Sequence, residues 1–242
     1  MALAKTVIIV IVVLVVLYLV LRWAFQSSTQ LSHVSPGTRS HHVKAKKLGK
    51  DSGSGDFTYS TWFYVEDWNK RYGENKMLLA RASSPNWGPN GASPLIYMDA
   101  KTNNLAIEVQ CFPTPADANA GRQSTPGKCG VENFPLQRWV NLIISVYGRT
   151  LDVYMDGKLF RTCVLPNVAK VNPLADIFIT PGGGFFGYTG NFQYWSQAVN
   201  PQQAYNIYKT GYGGNWLSNL FNKYRLRIQF LEGSKVHGSF EI

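Results

Sequence analysis

Hydrophobic and polar positions alternate most regularly between Arg138 and Cys163, RWVNLIISVYGRTLDVYMDGKLFRTC. Val140, Leu142, Ile144 and Val146 interleave with Asn141, Ser145 and Tyr147, the period of 2 that turns one strand face into a core. Gly148, Arg149 and Thr150 form a turn, after which Leu151, Val153 and Met155 resume the alternation against Asp152, Tyr154 and Asp156. Asp156-Gly157 predicts a two-residue hairpin turn, because a type I′ turn needs positive φ at both positions. A third strand is expected over Leu159 to Leu165, with Trp139 on the buried side at the start of the meander.

Other apolar runs predict strands at Phe57–Val65, Met77–Ala80, Leu95–Met98, Leu105–Val109, Ile177–Thr180 and Phe192–Trp195. Many short strands parted by Gly, Pro and Asn imply an all-β, antiparallel two-sheet sandwich. Ala82–Ser93 and Phe112–Val131 are expected to be long loops. Behind Gly213-Gly214, Trp216, Leu217, Leu220 and Phe221 have helical spacing, and Leu226, Ile228 and Phe230 alternate toward a turn at Glu232-Gly233-Ser234. Residues 215–242 are therefore an expected helix and hairpin added to the sandwich.

The central hairpin, together with Gly190-Asn191-Phe192-Gln193-Tyr194-Trp195 and the following Asn200-Pro201-Gln202-Gln203-Ala204 to Ile207-Tyr208, resembles the laminin-G-like, concanavalin A-like jelly roll. The resemblance spans roughly Asp56 to Gly214. It implies a final strand followed by a short helix that closes the sandwich. That fold hosts lectins, glycosidases and interaction modules, so function must come from the site.

At the amino terminus Val7–Leu21 carries no charge. With Ala2–Ala4 before it and Trp23–Phe25 after it, the stretch approaches the ~20 residues that span a bilayer. Residues 1–25 are read as a transmembrane anchor, with Lys5, Arg22 and Trp23 at the membrane interface. A cleaved signal peptide is the rival, but Arg22-Trp23 follows directly and no small-x-small site precedes Gln26.

Residues 26–55 read as a flexible basic linker carrying Arg39, Lys44, Lys46, Lys47 and Lys50. Seven of the 24 basic residues precede Asp51 and none of the 14 acidic ones do, which leaves 17 against 14 and a net of +3 in the domain. The high pI thus belongs to the membrane flank, and nucleic acid is not an expected partner. The lipid bilayer is, with an acidic protein surface as a sharper candidate for the same cluster. The positive flank favours a cytosolic carboxy-terminal domain. An odd set of cysteines (Cys111, Cys129 and Cys163) and the absence of any N-x-[ST] sequon point the same way. Cys163 reads as an apolar filler, and a Cys111–Cys129 bridge stays open.

No E-x-D-x-E pattern supplies a glycosidase pair, and Glu66 and Asp67 are adjacent, so they point apart on a strand. Gly182–Gly184 lacks the Lys-Ser/Thr of a phosphate loop. His41-His42 is too small a ligand set for metal. No catalytic residue, cofactor or resident metal is assigned. Calcium would have only Asp99 and Asn103-Asn104 to use.

Trp68 and Trp87 on loops, with Phe185 and Phe186, are the candidate contacts for a protein partner or a glycan, with packing over the sheet edge as the alternative for Trp87. The tail, anchor and jelly roll together resemble membrane and minor capsid proteins of large DNA viruses of algae and protists. That resemblance implies a non-enzymatic structural protein linking an internal virion membrane to the capsid above it. A membrane-anchored, lectin-like receptor is the alternative.

Overall fold

The computed structural model describes residues 30–48, 55–87, 91–213, 227–232 and 235–241, together with Val13 and residues 15–18. Its centre is the pair β4 (Phe57–Val65) and β9 (Trp139–Tyr147), antiparallel from Phe57 opposite Val146 to Tyr64 opposite Trp139. On one side β9 continues into β10 (Thr150–Met155) and β11 (Lys158–Val164). On the other, β4 pairs with β13 (Gly187–Trp195), which carries β1 (Gln30–Ser32) and β2 (Ser35–Pro36). The Asp156-Gly157 turn has φ of 48° and 74°, the paired positive values its sequence demands.

The second sheet runs β3 (His41–Val43), β12 (Asp176–Ile179), β5 (Lys76–Ala82), β6 (Ala92–Met98), β7 (Leu105–Cys111) and β8 (Thr125–Val131). Between the sheets lie Phe57, Phe63, Leu79, Ile96, Ile107, Val109, Val140, Leu142, Ile144, Val153 and Phe192, all buried. Each such side chain contributes about 1.5–3 kcal/mol by leaving water. A short helix α1 (Pro115–Asn119) and a longer one, α2 (Pro201–Lys209), join the strands. The tail forms a separate hairpin of β14 (Arg227–Glu232) and β15 (Lys235–Glu241). The helix expected over 216–221 lies outside the described residues.

Several expectations need correction. Residues 30–48 are a strap, with β1 and β2 on the edge of one sheet and β3 on the edge of the other. Gly37 threads this crossing: its N–H donates to Gly187 O at 2.7 Å and its carbonyl accepts from Phe185 N. The expected loop Phe112–Val131 contains α1 and the edge strand β8, whose TPGKCGV has too little apolar content to advertise itself.

Strand β5 reaches past its apolar stretch at both ends because its charges are buried. Arg81 donates to Tyr59 Oη at 3.2 Å and Tyr194 Oη at 3.4 Å, and the Lys76 ammonium lies 4.2 Å from the centre of the Trp68 ring. Burial, and then the Arg71 charge, lowers the Lys76 pKa.

The cysteines pair otherwise than expected. Cys129 on β8 is bonded to Cys163 on β11, and Cys111 is a free, buried thiol. A Cys111–Cys129 bridge is excluded by register, since Cys111 lies opposite Thr125 while Cys129 lies opposite Ile107. That offset of four positions is about 13 Å along the strand, beyond the ~7 Å limit between Cα atoms.

Candidate functional site

On the outer face of the larger sheet, Thr58, Ser60, Trp62 and Tyr64 of β4 stand opposite Ser145, Ile143, Asn141 and Trp139 of β9. Helix α2 lies over part of this face. Asn200 caps it in a reciprocal box with Gln203, Pro201 opens it, and Val199, Ala204 and Ile207 pack on Ile143 and Tyr154. Beyond the helix the surface becomes aromatic. Trp62 stacks on Tyr208 at 5.5 Å, Trp139 stacks on Tyr212 at 4.5 Å, and Tyr64 lies 5.9 Å from Trp139 and 6.4 Å from Tyr188. Tyr188 is 42% and Tyr205 41% exposed, so the array ends in two solvent-facing phenols. Trp139 therefore belongs to the outer face, not the core side expected for it. The array was not legible beforehand, because Tyr64, Trp139 and Tyr188 meet only through the sheet register.

Trp68 and the Asn103-Asn104 pair, unrelated in the sequence, come together in one place. They line an open cleft of about 480 Å³ with Lys101, Thr102, Glu132, Asn133 and Leu136. Asn103 Nδ2 donates to Phe134 O at 3.0 Å, and Asn104 Oδ1 accepts from Asn133 N at 3.0 Å. Trp68 meets Phe134 edge-on at 5.9 Å, and the Lys76 ammonium covers its ring.

The other candidates are dispersed. Phe185 is 0% exposed and belongs to the core, so it contacts no partner. Phe186 is partly exposed beside the Lys70 ammonium. Trp87 packs over Phe178, with Ala80, Ala82 and Ala92, on the outer face of the smaller sheet. Arg39, Lys44, Lys46 and Lys47 are exposed on the strap. Lys5, Arg22, Trp23 and Lys50 lie outside the described residues.

Carboxylates serve the scaffold. Asp156 accepts from Asn141 N at 2.9 Å and pairs with Arg138, while Asp152 accepts from Thr162 at 2.6 Å. Asp99, the calcium candidate, takes the Lys101 and Thr102 N–H groups of its own turn, and these bonds hold its pKa below the usual range. His42 bonds Asp176 at 2.6 Å and stacks on Phe178. Among the described residues no cluster of three or more His, Cys, Asp or Glu could hold a metal ion. Among them, too, no helix is long and apolar enough to cross a membrane.

Two antiparallel sheets with these crossovers define a jelly-roll β-sandwich, and solved structures share it. The receptor-binding domain of botulinum neurotoxin C/D mosaic serotype matches with a TM-score of 0.55 and 11% identity over 78% of this chain and 47% of that chain. The F1240A mutant of HCR/D matches at 0.53, with 10% identity over 76% of this chain and 44% of that one. The botulinum neurotoxin DC binding domain, in complex with rat synaptotagmin II, matches at 0.52, with 11% identity over 76% and 45%. The chain thus spans less than half the length of these binding domains, and at such identities the likeness is one of fold. No family model matches the sequence. No curated protein matches it either.

Proposed function

We propose that this chain is a non-enzymatic, membrane-anchored docking protein whose jelly roll holds a protein partner next to the bilayer. The observation that carries the reading is the outer-face aromatic array from Tyr205 and Tyr208 through Trp62 and Trp139 to Tyr64 and Tyr188. Tyr and Trp concentrate at interface centres because they bury much area at little entropic cost, whereas a sheet face meant only for water carries polar residues. The solved structures that share the fold are binding domains, and one is seen with a protein bound, which supports the same role.

The anchor reading rests on the sequence. It draws support from Val13, Val15, Val16, Leu17 and Tyr18, which are helical and 51–58% exposed, so they bury little against the domain. In its specific form the proposal is a link between a virion membrane and a capsid lattice, as the likeness to large-virus membrane proteins implies. The basic flank and absent sequons favour a cytosolic side, whereas the Cys129–Cys163 bridge favours an oxidising one. Protease added to sealed microsomes separates the two: digestion of the domain supports the first, protection the second.

For docking itself, the full chain in lipid nanodiscs should bind the capsid-lattice protein of its own virion. Tyr188→Ala with Tyr205→Ala should weaken binding at least tenfold with an unchanged melting temperature. Binding indifferent to both substitutions would reject the aromatic face as the contact. Saturable glycan binding abolished by Trp68→Ala would shift the reading to a lectin.

A further inference from the structure

We infer that the strap edge of the sandwich is a lipid-facing surface, on which Arg39, Lys44, Lys46 and Lys47 rest against the anionic headgroups of the membrane that anchors the chain. The inference rests on the anchored reading above and adds to it an orientation for the domain. Three observations carry it.

The first is reach. Four residues separate the end of the expected anchor, Phe25, from Gln30 at the start of β1, so the five Cα–Cα steps span at most about 18 Å when fully extended. The domain therefore has no long tether, and the edge that receives the chain stays near the bilayer. The second is placement. The strap enters on the edge of the larger sheet as β1 and β2, then crosses to the edge of the smaller one as β3, so its basic residues lie on the edge that receives the chain.

The third is charge and rigidity. All four basic side chains are exposed, while Val43 and Leu48 are buried pegs on either side of Lys44, Lys46 and Lys47. The turn carrying the lysines is closed by Lys47 N to Lys44 O and Leu48 N to Ala45 O, both at 2.9 Å. The acid packed against this turn is Asp176, already engaged by Ala45 N at 2.7 Å and His42 at 2.6 Å. Arg71, which donates to the Gly182 and Gly184 carbonyls, is paired with Glu74. A positive surface remains, held in place without the entropy cost of ordering a free linker. Its attraction to headgroups acts within a Debye length of about 8 Å, which the short tether allows.

Lysine footprinting on the full chain tests this, using nanodiscs of phosphatidylcholine alone and with about a third phosphatidylserine. Acetylation of Lys44, Lys46 and Lys47 should slow at least threefold in the anionic discs relative to Lys101 and Lys158, and high salt should abolish the difference. Equal rates in both lipids, in protein that alkaline carbonate leaves in the membrane, would overturn the lipid-facing edge and spare the anchor. Extraction by carbonate would overturn the anchored reading and this inference together.

Discussion

At the edge formed by β8 and β11 the sheets are joined covalently by Cys129–Cys163, with Arg161 donating to Gly130 O at 2.9 Å beside the bridge. At the opposite edge one stretch of chain joins them, pairing with β13 and then with β12. Unpaired strand edges invite pairing with other chains. The strap covers its edge with backbone and positive charge, whereas the bridge pins two strands and leaves β11 open, with Leu159, Phe160 and Val164 at least half exposed. A bridge constrains the unfolded chain, and a strap acts only in the folded one. The two edges should therefore fail under different insults.

Breaking the bridged edge should cost most. Reduction, or Cys129→Ala, frees a sequence separation of 34 residues, worth about 4 kcal/mol of loop entropy. In a domain of this size that lowers the melting temperature by roughly 10 °C, measurable by calorimetry with and without reductant. A melting temperature indifferent to reductant would mean the two thiols are unpaired in solution.

The strap should yield next. Gly184 has φ of 46°, and a Cβ there would lie 2.1 Å from Gly37 O. Gly184→Val should cost about 2 kcal/mol or more and loosen the strap before the rest, visible as faster hydrogen exchange over residues 37–48 than over β10. Uniform exchange would show that the strap is no separate cooperative unit.

A smaller loss is expected at the hairpin feeding the bridged edge. Gly157 has φ of 74°, and a Cβ would lie 2.9 Å from Tyr208 Cβ on α2. Gly157→Val should cost about 1–2 kcal/mol by denaturant titration, while Gly148→Ala, with open space around it, should cost less.

The mildest probe is acid. The Ala45 N–H, then the His42 side chain, hold the Asp176 carboxyl below its ordinary pKa. A carboxylate depressed in the folded state adds stability that is present above its unfolded value near 4 and is lost as pH falls toward the folded value. Asp176→Asn should therefore flatten the acid limb of a stability–pH curve by lowering stability at neutral pH, with little change at the acid end where the carboxylate is already protonated. An identical limb would remove Asp176 from the strap's attachment.

How legible each edge was follows from the length of its signals. The meander from Trp139 to Val164 has strands of six to nine residues, enough for a period of 2 to declare itself. The strap strands have two or three residues each, with a serine, proline or histidine in place of an apolar face, so a polar linker was the natural reading. Their order comes from pairing with β12 and β13, more than a hundred residues away. The cysteine partners depend likewise on register, which spacing along the chain does not encode. Trp68 could be singled out as a loop tryptophan, yet the asparagines beside it became neighbours only when the turn after β6 and the loop after β8 met. Phe185 and Phe186 looked alike in sequence. One fills the core and the other faces solvent, as alternation across a strand end requires.

The unpaired cysteine gives the core a clock. Cys111 is wholly buried, and that burial pushes its thiol pKa up, so the reactive thiolate is suppressed and the group lies beyond the reach of reagents. It therefore cannot exchange with the Cys129–Cys163 bridge while the sandwich is closed. Each alkylation of this thiol marks one opening of the sheets, so its labelling rate reports the lifetime of the closed state from inside the molecule.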